Sequence, residues 1–176
     1  MSLPVAHGLL GASVVAAFYP SAGTRLRTLL LVGALLGICP DFDYALNWLH
    51  IAGGGWHHGF THSILFALLL GFVAVVVVRE QKVRGMLIFS GATISHTLLD
   101  YLITRSRGVA LWWPFTGQRY KLMLSNPVDY SWNNETLWEV AAGILRISLM
   151  ELLLLSPVLL GILFIKQTLA QRRVLR

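Results

Sequence analysis

Five of the six histidines and three of the four aspartates of this chain fall into four short motifs. They are His7, then Pro40-Asp41-Phe42-Asp43, then His57-His58-Gly59-Phe60-Thr61-His62-Ser63, then Ser95-His96-Thr97-Leu98-Leu99-Asp100. The sixth histidine, His50, lies between the second and third. Imidazole and carboxylate together are the ligand set of zinc and related divalent metals. Long apolar segments separate the motifs. In such surroundings an ionisable group is costly and marks a functional site by default. The residues therefore read as the metal site of a membrane enzyme.

Spacing sharpens that reading. His96 and Asp100 are i, i+4, which puts both on one face of a helix, one turn apart. His58 and His62 share this spacing at the start of the next apolar segment. Asp41 and Asp43 are i, i+2, and Pro40 favours an extended turn that projects both carboxylates to one side. Gly53-Gly54-Gly55 lets the intervening loop fold over the site. The candidate metal ligands are His7, Asp43, His58, His62, His96 and Asp100, with Asp41 and His57 as candidate general base and acid. Asp41 or Asp43 could instead cap a helix, and His57 could orient His58 or a substrate. Thr61, Ser63 and Ser95 are candidates for caps or for donors behind the ligands, and His50 for an interfacial residue. A catalytic zinc keeps about three protein ligands and an open position, and lowers the pKa of its water to about 7. So many ligands suit one or two ions, with Asp100 as the bridge. A two-metal site suits phosphoester hydrolysis. Zinc fits best, and manganese or iron are compatible.

The elements that must position these residues follow from composition. The chain has 176 residues, 56% of them hydrophobic and 12% charged, against about 25% charged in soluble domains. Mean hydropathy is +0.67. The expectation is one all-α domain over residues 1–176, an integral membrane helical bundle. Its five apolar segments run roughly from Leu3 to Tyr19, Leu26 to Ile38, Phe60 to Val78, Gly85 to Ile103 and Ala141 to Ile165. The last three meet the length of about 20 residues that a span needs. The second is short unless it continues past Pro40 as a broken helix lining a cavity. The N-terminus has no basic region ahead of its apolar stretch, so the first segment is expected to be retained. Cys39 is the single cysteine, which excludes an intrachain disulfide and a cysteine-rich zinc site.

The formal charge of +6 reports topology and not nucleic-acid binding. Arg25 and Arg27, then Arg79, Lys82 and Arg84, then Lys166, Arg172, Arg173 and Arg176 all fall on one side of a five-pass chain. That side should be cytoplasmic. Every candidate ligand then lies at one depth, at the outer face. The loop 104–140 is rich in aromatic residues, among them Trp112, Trp113, Phe115, Tyr120, Tyr130, Trp132 and Trp138, as for a segment in the headgroup layer. Arg105, Arg107, Arg119 and Lys121 run against the positive-inside bias and are candidates to hold a substrate phosphate.

The order of an early His, Pro-Asp-x-Asp, His-His-x-x-x-His-Ser and Ser-His-x-x-x-Asp resembles the YdjM-like family over roughly residues 1–130. That resemblance implies a bacterial inner-membrane protein of the metal-dependent hydrolase kind. More distantly, the order is similar to that of zinc-dependent phospholipase C and the fungal zinc-dependent single-strand nucleases. This similarity implies that His96, Asp100, one of Asp41 or Asp43, and one of His58 or His62 hold one zinc. His7 and a bridging Asp100 would hold a second. The later His-x-x-x-Glu element that completes a third zinc in those enzymes is missing, since no histidine follows His96. Glu135 and Glu139 could replace it in part.

The expected activity is hydrolysis of a phosphoester in a membrane-lipid headgroup. Two non-catalytic classes compete with it. Intramembrane His and Asp also build ion transporters and proton relays, although transporters usually show repeated halves and this sequence does not. A scaffold with a structural metal would use four ligands, fewer than are present.

Overall fold

The structure, a computed structural model, describes residues 4–19, 23–44, 49, 57–79, 83–104, 107–124 and 136–174. Among the described residues, five helices follow the five apolar segments: α1 Pro4–Phe18, α2 Gly23–Ile38, α3 Ile64–Val77, α4 Val83–Ile103 and α5 Leu137–Val174. Among the described residues there is no strand, only one antiparallel bridge between Val109 and Tyr120. The all-helical expectation holds. Two helical stretches, Val83–Ile103 and Leu137–Arg172, are long and apolar enough to cross a membrane.

The third apolar segment differs from its expected form. Phe60–His62 is a 3₁₀ turn, and α3 starts only at Ile64. Ser63 is its N-cap, and the Ser63 side chain accepts the Phe66 N–H, as a first-turn donor requires. His58 sits at φ 62, in the left-handed region. His58 and His62 therefore do not share a helix face, and α3 has 14 residues, about 21 Å of axis. The Pro40 turn also differs. Cys39–Phe42 is a 3₁₀ turn with Pro40 in its first positions, and Asp43 follows at φ −63, ψ −24. The fixed φ of proline suits this geometry as well as an extended one. The two aspartates then take different nearest partners, Asp41 facing His96 and Asp43 facing His57.

α1 is the central helix and packs against α2, α4 and α5. It can do so because its buried positions are small: Ala6, Gly8, Gly11, Ala12, Ser13 and Ala16 accompany His7 and Val15. The α1–α2 crossing is backbone on backbone. A Cβ on Gly11 would stand 2.2 Å from the Gly33 carbonyl oxygen, and one on Gly37 would stand 2.3 Å from that of His7. Such close approach is what small residues provide when lipid supplies no hydrophobic drive between helices.

The bundle has two unlike ends. Val15, Tyr19, Leu29, Leu36, Ala74, Val75, Ile88, Phe89 and Ala92 form an apolar core toward one end. The N-terminus of α1, the C-termini of α2 and α4, and the entry to α3 meet at the other, where the histidines lie. α5 leaves much of its apolar surface uncovered, with Leu153 72% and Phe164 70% exposed, as a lipid-facing helix would. Beyond α4 the chain doubles back. Val109 and Tyr120 exchange backbone hydrogen bonds at 2.9 and 3.0 Å. The Leu122 and Leu124 N–H groups then donate to the Tyr101 and Leu102 carbonyls, which a helix end leaves without partners.

Gly11→Val should overpack the α1–α2 crossing and lower stability by about 1–3 kcal/mol. Thermal unfolding in detergent would show this. Gly161→Ala, inside α5 where an added Cβ meets nothing within 4 Å, should not lower the midpoint, since alanine favours a helix interior over glycine.

Candidate metal centre

Four helix ends deliver the polar side chains. α4 carries His96 and Asp100, both buried. The 3₁₀ turn after α2 carries Asp41, and the one before α3 ends at the buried His62. α1 brings His7, 1% exposed, whose ring stacks on His96 with centroids 3.7 Å apart.

Asp100 is the hub. Its Oδ2 lies 3.2 Å from His62 Nε2, 3.2 Å from His96 Nε2 and 3.5 Å from His58 Nε2. Its Oδ1 lies 3.7 Å from His7 Nε2. Asp41 closes the group from the opposite side, with Oδ1 3.4 Å from His96 Nε2 and 3.8 Å from His62 Nε2. The two ring nitrogens, His62 Nε2 and His96 Nε2, are themselves 3.0 Å apart. A zinc–ligand bond of about 2.0–2.1 Å sets the edge of a coordination tetrahedron at about 3.3–3.4 Å. The five edges that join the His62 and His96 nitrogens to each other and to Asp41 and Asp100 run from 3.0 to 3.8 Å, about that length.

Hydrogen bonds behind the rings settle which nitrogen carries the proton. His96 Nδ1 lies 2.7 Å from the Gly37 carbonyl oxygen, which can only accept, so Nδ1–H donates. Thr61 Oγ1 donates to Asp43 Oδ2 at 2.7 Å and so accepts from His62 Nδ1 at 3.0 Å. Were both rings neutral, each Nε2 lone pair would face the other, with two carboxylates beside them. This arrangement is repulsive unless a cation, a metal ion or a proton, is shared between them. Fixing the distal nitrogen in this way is how proteins present a metal-ligating histidine.

Asp43 takes a different part from Asp41. Its Oδ1 accepts from His57 Nδ1 at 2.8 Å and its Oδ2 from Thr61, while its nearest approach to His62 is 3.7 Å. His57 Nε2 is buried and has no hydrogen-bond partner among the described residues. Two further sets of side chains are close enough to share an ion: His57, His58 and His62, and Asp41, Asp43 and His57. The His57–His58 turn is braced from the hairpin. Ala110 N–H donates to the His58 carbonyl at 2.9 Å, and Arg119 Nη1 donates to the carbonyls of His57 and Gly108 at 2.9 and 3.2 Å. This bracing accompanies the left-handed His58, and such outliers cluster at functional sites.

The other expected residues divide. Arg119 holds those backbone carbonyls through Nη1. Arg107 and Lys121 are exposed. Arg105, His50, Gly53-Gly54-Gly55 and Glu135 lie outside the described residues. Glu139 caps α5 through the Thr136 N–H and hydroxyl, each 2.8 Å from its Oε2. Ser95 donates to the Ala92 carbonyl of its own helix. Two contributors went unread in the sequence. The Gly37 carbonyl is a backbone group with no side-chain signature. Glu151, buried in α5, did have one, as the single acidic residue of the fifth apolar segment.

The loop groups are set for cation binding. Burial pushes His58 down to about 3 and holds His62 below the usual histidine range. Burial alone would raise Asp41 and Asp43. The bond and charge of His96 outweigh it at Asp41, and bonds from His57 and Thr61 do so at Asp43, so both stay ionised. Neutral imidazole and ionised carboxylate are the metal-ready forms. A pH prediction follows for the chelator-treated protein. With its folded pKa depressed, His58 takes up its proton only on unfolding, so it removes stability as pH falls below about 6.5. The stability of wild type relative to His58→Asn should therefore decline from pH 6.5 toward 3, by up to about 1.4 kcal/mol per pH unit. Unfolding midpoints of both proteins across that range would test it.

The family profile described as YdjM inner membrane protein matches residues 1–173. Inner membrane protein YbcI of Escherichia coli (strain K12) is 33% identical over 98 residues, 52% of this chain and 57% of that protein. The chain thus spans little more than half the length of that relative. No solved structure matches it.

Proposed function

The chain belongs to the YdjM family of inner membrane proteins, and we propose that it is a membrane-embedded metal-dependent hydrolase acting on a phosphoester of lipid headgroups. The observation that carries the reading is the approach of His62 Nε2 and His96 Nε2, 3.0 Å apart and beside the Asp41 and Asp100 carboxylates. In this reading Asp41, His62, His96 and Asp100 hold the ion. His7 and His58, on the outer edges of Asp100, provide for a second. Zinc is the first choice and manganese the next. A divalent ion held there supplies Lewis-acid polarisation and a water acidic enough to react at neutral pH.

The chain's own groups do the rest. The Asp43 carboxylate fixes the His57 tautomer, leaving Nε2 to take a proton and later return it to a leaving group. In this reading Asp41, expected as a base, serves as a ligand, and Asp43, expected as a ligand, instead orients His57. Arg107 and Lys121 lie on the hairpin that braces the His57–His58 turn, where they can meet phosphate oxygens, and Arg119 shapes the wall. The basic residues at the opposite end of the bundle support a multi-pass topology with the centre on the periplasmic side.

One observation also favours a second reading. A contact of 3.0 Å between ring nitrogens is equally what a shared proton gives, and buried His and Asp chains carry protons in transporters.

Metal content by mass spectrometry of the detergent-purified protein separates the two. Hydrolase chemistry requires about one or two ions per chain, lost in His96→Ala and Asp100→Ala. A wild type that is metal-free and takes up no added zinc or manganese leaves the proton relay. With metal present, turnover on a phospholipid panel should fall by at least about 100-fold in the two ligand variants. Asp43→Asn and Thr61→Val touch the groups behind the ligands and should cost about 10–100-fold in metal affinity or activity. Wild-type behaviour in both would remove Asp43 from the centre.

A further inference from the structure

Glu151 stands well inside α5, the most lipid-exposed helix, yet it is 4% exposed. Its Oε2 accepts the Ala6 N–H at 3.0 Å. Ala6 is in the first turn of α1, where N–H groups have no carbonyl of their own helix to reach and the helix dipole favours negative charge. About four turns further along α5, Lys166 Nζ donates to the Ala16 carbonyl at 3.1 Å and to that of Tyr19. α5 thus runs parallel to α1 and holds it at both ends with the charges its dipole favours. The residue after Ala6 is His7, which stacks on His96 and faces Asp100 Oδ1 at 3.7 Å.

We propose that Glu151 is a positioning residue of the metal centre: by seating the first turn of α1 it sets the reach of His7 toward Asp100. This rests on the metal reading above. A carboxylate is a costly way to fill a helix interface in lipid, and leucine would fill it without that cost. What leucine lacks is an acceptor for the Ala6 N–H.

The test is equilibrium zinc titration of the full-length protein in detergent, beside thermal unfolding of the metal-free form. Glu151→Leu should weaken zinc binding by about 10–100-fold, the range for groups that orient ligands. His7→Ala should do the same, and the double variant should be no weaker than either single one. Glu151→Gln keeps an acceptor oxygen and should stay within about threefold of wild type, since neutral acceptors serve a backbone N–H. A Glu151→Leu protein that loses thermal stability but binds zinc as wild type overturns the proposal, because Glu151 would then only pack. Additive losses in the double variant also overturn it. Should Glu151→Leu fail to fold, Glu151→Asp carries the test. Its acceptor is one methylene short, so zinc binding must fall several-fold, and unchanged affinity overturns the proposal. A wild type that binds no zinc or manganese is a separate outcome, which removes the centre itself and with it this role.

Discussion

Two carboxylates, Asp41 and Asp100, converge with imidazole nitrogens in a nearly closed space at one end of an apolar bundle. Taking an ion from water into such a place costs several kcal/mol unless opposite charge and hydrogen bonds compensate. Most of the local architecture answers that constraint. His7, His58, His62 and His96 all turn Nε2 toward Asp100. Behind His96 stands the Gly37 carbonyl, and behind His62 stand Thr61 and then Asp43. The hairpin after α4 holds the His57–His58 turn from outside. None of these contacts would be needed to pack five helices together.

Packing and chemistry meet most closely at Gly37. The absence of a side chain lets α1 come near enough for His7 to lie over His96, and the carbonyl of the same residue fixes the His96 tautomer. A larger residue there would disturb both at once. At the far end the bundle is ordinary, with Phe89, Val15 and their neighbours forming an apolar core. That end keeps the helices in register while the polar end keeps its groups aligned.

The sequence was most legible where local periodicity decides structure. The five helices follow the apolar segments, and the i, i+4 pair His96 and Asp100 shares a face because α4 runs unbroken through it. The same spacing misled at His58 and His62, because His58 is left-handed, Phe60–His62 is a 3₁₀ turn and the Ser63 cap starts the helix only after both. The parts of Asp41 and Asp43 turned on whether a proline turn is extended or 3₁₀, which proline's φ alone does not decide. Arg119 Nη1 is held by backbone carbonyls, partners that a sequence does not display. Glu151 could have been found by applying to the fifth segment the rule that singled out the histidines.

Helix length carries one more consequence. α1, α2 and α3 have 15, 16 and 14 residues, so each rises only about 21–24 Å. The hydrocarbon core of a bilayer is about 30 Å thick. α5, at 38 residues, rises about 57 Å and overshoots it. In a bilayer α2 and α3 would thus be low walls around the central α1, and a bilayer meets such a deficit by thinning locally. If the chain acts on lipid headgroups as proposed, such thinning would draw them toward α2 and α3 and let a lipid's polar part approach the turns of His58 and Asp41 without leaving its leaflet. Membrane thickness would then enter that chemistry, since a thicker bilayer would have to deform further to present the same group.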